Sequence, residues 1–127
     1  YAAQMGVTMK KLYDRGITMQ MGAHGNMMGL GAHWEMELFT HGSFSNYDAI
    51  EIATINGFKH HGLDHILGSI EPGKLADFVI MRKNPLENIR NTRSIEYVVK
   101  NGVVYSGKDA SRVFPNPKPS VRLYFKR

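Results

Sequence analysis

The run LGSIEPGKLADFVIMRKNPLENIRNTRSIEYVVKNGVVY, Leu67 to Tyr105, sets two apolar segments between turn signals whose order is easy to read. In Glu71-Pro72-Gly73-Lys74 the proline pre-sets φ and the glycine supplies a left-handed position. The run Ala76–Met81 follows at once and predicts a strand. After a polar break at Lys83-Asn84-Pro85, Ile95–Lys100 meets Asn101-Gly102 and then Val103-Val104-Tyr105. That is the pattern of two strands joined by a two-residue type I′ turn.

Upstream, Ala2, Met5, Met9, Leu12 and Tyr13 recur at helical spacing, so Ala2–Arg15 predicts an amphipathic helix closed by Gly16. Ile17–Met21 alternates as a strand and runs straight into Gly22-Ala23-His24-Gly25, where glycines permit a sharp turn. Helix, turn and strand in succession are the repeating unit of an α/β fold. Asn26, Gly29 and Gly31 keep the next stretch irregular before a short helix over Ala32–Phe39, with Trp34 and Leu38 one turn apart and an end near Gly42. Ser45 followed by Asp48 predicts a capping box, and the stripe Ile50, Ala53, Thr54, Gly57, Phe58 predicts one helix of about four turns ending at Gly62. Beyond Tyr105 the periodicity is lost, and Pro115, Pro117 and Pro119 favour an extended tail in which Val121–Phe125 adds an edge strand or lies along the surface.

These residues also carry a family resemblance. GSIEPGKLADFVI, NPLENI and the strand-Asn-Gly-strand hairpin resemble the C-terminal end of amidohydrolase-superfamily enzymes, in the branch that includes imidazolonepropionase-like and prolidase-like hydrolases. The likeness runs back through Ser45–Leu63 to about Ile17. It implies an α/β chain: the C-terminal piece of a metal-dependent TIM barrel, its last helix-strand-helix, followed by strands of the accompanying small β-sandwich. Residues 1–66 then form the barrel end, 67–107 the sandwich strands and 108–127 a proline-containing tail. A closed barrel needs roughly 250 residues, so the resemblance implies that these 127 residues, starting at Tyr1 without an initiator methionine, are a fragment.

Composition is that of a globular protein, 43% apolar and 21% charged. The absence of cysteine excludes a disulfide framework and thiolate zinc sites. No apolar run approaches the roughly 18 residues of a membrane span. The net charge of +5 is spread along the chain and densest in the tail, at Lys108, Arg112, Lys118, Arg122, Lys126 and Arg127. Aromatic and basic residues are not clustered as nucleic-acid sites cluster them, so generic solvated surface is the better account. Neither a nucleic acid nor a membrane is an expected partner, and the localisation is left open.

Chemistry in α/β barrels sits where strands end and loops begin, and His24 occupies such a place. The resemblance implies an aspartate there, in a Gly-Thr-Asp-like context, contacting the metal and accepting a proton from the attacking water; here the residues are Gly22-Ala23-His24. A neutral imidazole binds Zn²⁺ and exchanges protons near pH 7, yet brings no negative charge. The family's other ligands, a His-x-His pair on the first strand and histidines from strands five and six, have no counterparts in this chain. His24 is therefore the candidate catalytic and metal-binding residue, weighed against a structural hydrogen bond at a strand end. Gly25, Asn26 and His33 are candidate substrate-loop residues, with Glu35 beside them, weighed against a plain connection. His61 and His65 stand four apart, but Gly62 intervenes, and with His60 they read as solvent-exposed helix-end residues. The eight methionines and Trp34 are most simply packing residues. No Gly-x-Ser-x-Gly motif or complete Gly-x-Gly-x-x-Gly fingerprint is present.

The resemblance thus implies the C-terminal part of a hydrolase acting on C–N bonds in a cyclic amide, dipeptide or similar small molecule, through water activated by a divalent metal, zinc foremost. The fragment alone is expected to be inactive, to bind no metal of its own, and either to associate with the rest of the barrel or other copies of itself or to be extensively disordered over Tyr1–Leu30. The alternatives are a non-catalytic α+β scaffold for protein contacts and a basic nucleic-acid binder.

Overall fold

A computed structural model describes residues 2–25 and 27–120. Four helices lead into a four-stranded antiparallel sheet. The helices are α1 (Ala2–Tyr13), α2 (Gly31–His41), α3 (Asn46–Ala53) and α4 (Ile55–His60), and the strands are β1 (Phe78–Met81), β2 (Ile95–Lys100), β3 (Val103–Ser106) and β4 (Arg112–Phe114). A short 3₁₀ helix, η1 (Ile89–Arg93), links β1 to β2.

The helical part is built around Met36, Phe39, Phe44, Ala49, Ile52 and Ile89, with Met9, Tyr13, Met19 and Met21 packed against them. Tyr13, Phe44 and Phe39 form a chain of tilted rings at centroid separations of 5.3 and 5.2 Å, the offset geometry that aromatic quadrupoles prefer. α1 crosses the end of α2 where two glycines meet. A Cβ on Gly6 would stand 2.6 Å from the Gly42 Cα, and one on Gly42 would stand 2.4 Å from the Gly6 Cα. α1 ends as expected: Gly16 takes φ +87° and the Ile17 N–H donates back to the Leu12 carbonyl, an arrangement that satisfies the orphan carbonyls of a helix end. The α3 capping box is also present, with the Asp48 N–H donating to Ser45 Oγ (3.0 Å) and the Ser45 N–H to Asp48 Oδ2 (2.9 Å).

The expected four-turn helix is instead two. Thr54 lies at φ −130°, ψ −99°, outside the helical region, and its Oγ1–H donates to the Ile50 carbonyl, the local competition that makes threonine a poor interior residue. Ala49, Ile52 and Asn56 are therefore the buried residues of this segment, Ile50 and Ala53 pack at the edge of the core, and Thr54 is exposed. Leu67-Gly68 folds back onto α4, and a Cβ on Gly68 would stand 2.9 Å from the Ile55 Cα. α4 does end at Gly62, with φ +68° and the Leu63 N–H on the Phe58 carbonyl.

The strand order is β1-β2-β3-β4, a meander. Asn101 (φ +49°) and Gly102 (φ +77°) form the type I′ turn that the sequence predicts. Asp77 fastens this turn to the start of β1: it accepts the Asn101 N–H at 2.5 Å and pairs with Lys100. β4 was not anticipated. Within the expected tail, Arg112–Phe114 pairs with Val104–Tyr105, and Arg112 bridges to Lys118 as the chain folds back. The tail residues 121–127 lie outside the described residues.

Ile17–Met21 does not appear as a strand. Residues 17–23 carry no regular hydrogen-bonded structure, because a strand exists only through a partner and the described residues offer it none. Trp34 and Leu38 also depart from expectation: both are exposed, while Met36, Glu37 and Phe39 form the buried face of α2.

Candidate functional site

His24 stands at the end of the unpaired segment, at the surface, in a three-residue turn closed by the Gly25 N–H donating to the Ala23 carbonyl at 2.7 Å. Its φ of +53° is left-handed. For a residue with a Cβ this conformation is unfavourable, and it persists where the surroundings over-determine it. The surroundings do so here. The Gly22 N–H donates to Glu35 Oε1 at 2.8 Å. Ala23 lies against the start of α2, where a Cβ on Gly31 would be 3.5 Å from the Ala23 carbonyl oxygen. The intervening loop returns to the helix through the Leu30 and Gly31 N–H groups, both donating to the Met27 carbonyl. The His24 ring makes no hydrogen bond among the described residues, so both nitrogens are open. Gly25 shares this turn, with φ +77°; Asn26 lies outside the described residues.

His33 belongs to α2, not to the loop, and its half-buried ring turns toward η1. Its Nδ1 is 2.9 Å from Thr92 Oγ1, and the Thr92 hydroxyl donates to the Ile89 carbonyl at 2.8 Å. With that proton committed, the ring must donate from Nδ1, which leaves Nε2 with the free lone pair. Burial holds the His33 pKa below its usual value, the Arg93 guanidinium adds to this, and Glu37 opposes it. One turn further on, buried Glu37 receives Arg90 Nε at 3.2 Å and the Arg93 guanidinium. His33 and Glu37 thus tie α2 to η1, whereas Glu35, on another face of the same helix, reaches the His24 loop. Thr92, Arg90, Arg93 and Glu37 were not singled out from the sequence. They act across separations of more than fifty residues, and only opposite charge hinted at a pairing.

A catalytic zinc takes three protein ligands and keeps one position open. Among the described residues no group of three His, Cys, Asp or Glu side chains is close enough to hold an ion. His24, with an exposed and unengaged imidazole, fits one ligand position and no more. His60, His61 and His65 are all exposed, and Gly62 breaks the helix between the latter two as expected.

Comparison with known proteins places this geometry in context. The family model described as the amidohydrolase family matches residues 5–105. A guanine deaminase of Escherichia coli (strain K12) is 41% identical over 70 residues, which is 53% of this chain and 16% of the deaminase. An adenine deaminase of Desulforamulus reducens is 47% identical over 62 residues, 47% of this chain and 10% of its own length. Among solved structures, a Xaa-Pro dipeptidase with methionine bound in its active site superposes with a TM-score of 0.72 and 30% identity over 82% of this chain and 26% of that one. The chain therefore spans about a quarter or less of the proteins it matches.

Proposed function

The chain belongs to the amidohydrolase family, in its prolidase-like branch, as the C-terminal part of that fold with a four-stranded antiparallel sheet, and from this premise we propose that the whole protein hydrolyses a C–N bond in a small molecule. The observation that carries the reading is the extent of the family match, which runs through the helices, the His24 loop and the first three strands alike. The substrate class is an amide or amidine: a dipeptide, a cyclic amide or an amino-substituted heterocycle. The dipeptidase and deaminase relatives support that range and do not narrow it.

In this reading His24 supplies one ligand or one proton-transfer group to a site completed by polypeptide outside this chain. Zinc suits an imidazole donor; when bound, such an ion lowers the pKa of water and polarises the scissile carbonyl. The residues described here do the positioning. Gly25 shares the turn that carries the ring, Glu35 holds the Gly22 N–H just before it, and His33, with Nε2 free, fastens the helix that carries Glu35 to η1. An imidazole where the family carries a carboxylate favours one other reading, a non-catalytic scaffold. Assay of the full-length protein distinguishes them. The enzyme reading expects ammonia release from adenine, guanine or a related heterocycle, or amino-acid release from Xaa-Pro dipeptides, abolished by His24→Ala. No turnover across that panel, or turnover indifferent to His24→Ala, contradicts it.

A further inference from the structure

Glu35 has one carboxylate oxygen on the Gly22 N–H and the other, Oε2, buried with no hydrogen-bond partner among the described residues. Its neighbours along the α1–α2 cleft are Met5, Gly6, Met9, Leu38 and Phe39. A carboxylate among apolar walls is costly to keep, and apolar surroundings strengthen the one charge-assisted bond it makes. That bond falls where the backbone most needs it. Gly22 and Gly25 flank Ala23-His24, and glycine leaves the direction of the chain undetermined, while His24 must be held at φ +53°. Downstream the turn is closed by the Gly25 N–H on the Ala23 carbonyl. Upstream, Met19 and Met21 anchor the segment on the core, and at the turn itself the first turns of α2 add the Glu35 carboxylate on Gly22 and the packing of Gly31 on Ala23.

We propose that Glu35 is the positioning residue for His24, a carboxylate that touches neither substrate nor metal but fixes the backbone from which the imidazole is presented. This rests on the reading of His24 as a metal-site residue. Loss of a group that orients a metal ligand typically weakens metal affinity 10- to 100-fold.

Amide hydrogen exchange and Zn²⁺ titration of the full-length protein test it together. Glu35→Gln keeps an oxygen for the Gly22 N–H, and it should retain both Gly22 protection and near wild-type zinc affinity. Glu35→Ala should expose the Gly22 amide and weaken zinc binding about 10- to 100-fold. Should the alanine variant not fold, Glu35→Leu, whose side chain suits the apolar walls, removes the acceptor equally. Gly22 protection unchanged without the acceptor would overturn the proposal. So would a glutamine variant that binds zinc as poorly as alanine while Gly22 stays protected, since the carboxylate would then itself be the ligand. Zinc affinity undiminished in His24→Ala counts against the site reading instead, and the Gly22 amide still judges Glu35 by itself.

Discussion

His33 is the residue through which mildly acidic pH reaches the fold. Its pKa is lowered by burial and by Arg93, with Glu37 opposing, so the folded chain resists the proton that the unfolded chain accepts near pH 6.5. Stability therefore falls as pH drops below about 6.5 and stops responding once pH is below the folded-state value. The thermal midpoint should decline between pH 7 and 5, and His33→Asn, which keeps a donor for Thr92 without a titrating ring, should flatten that decline. An NMR titration of His33 at or above the free-imidazole value would contradict the geometry. Glu71, Asp77 and Asp109, all lowered by hydrogen bonds, contribute in a separate and more acidic window. At this scale the sequence is legible where chemistry is local, as in Asn101-Gly102, whose φ values the turn type dictates. It is silent on His33 with Thr92 and on Glu35 with Gly22, because neither pairing is written in spacing or composition.

Helices begin and end here by short-range signals. Ser45→Ala should cost about 1 kcal/mol by unfolding in denaturant, since it removes an N-cap acceptor whose partner is in place. Gly6→Ala should cost about 1–3 kcal/mol, because the added methyl would enter the Gly42 backbone at the α1–α2 crossing and force the helices apart. A stability equal to wild type for Gly6→Ala would mean that this crossing is not as close as described. The caps at Gly16, Ser45 and Gly62 could be read from the chain. The break at Thr54 could not, since a threonine whose hydroxyl bonds back to the carbonyl four residues earlier leaves the helical stripe of the sequence unchanged. Three residues of β4, without alternation, left no periodic signal at all.

The whole molecule is a helical unit and a sheet fastened through η1. Arg93→Ala would leave the buried Glu37 carboxylate with Arg90 alone, a loss of about 1.5–3 kcal/mol, and the same change should raise the His33 pKa by removing a neighbouring positive charge. Elsewhere large apolar side chains stand exposed, among them Ile17, Met28, Ile70, Val79 and Phe114, and residues 17–23 have no strand partner among the described residues. We propose that the rest of a barrel, or another copy of the chain, covers residues 17–23 and the apolar side chains beside them; light scattering on the isolated 127 residues should find association, and a well-behaved monomer would speak against it. In the proposed reading His24 belongs to a metal site completed beyond this chain. Elemental analysis of the full-length protein and its His24→Ala variant, purified in parallel, tests it most directly. A bound divalent ion in the wild type and a depleted variant are expected; equal metal content in both, or none in the wild type, would remove His24 from any metal site.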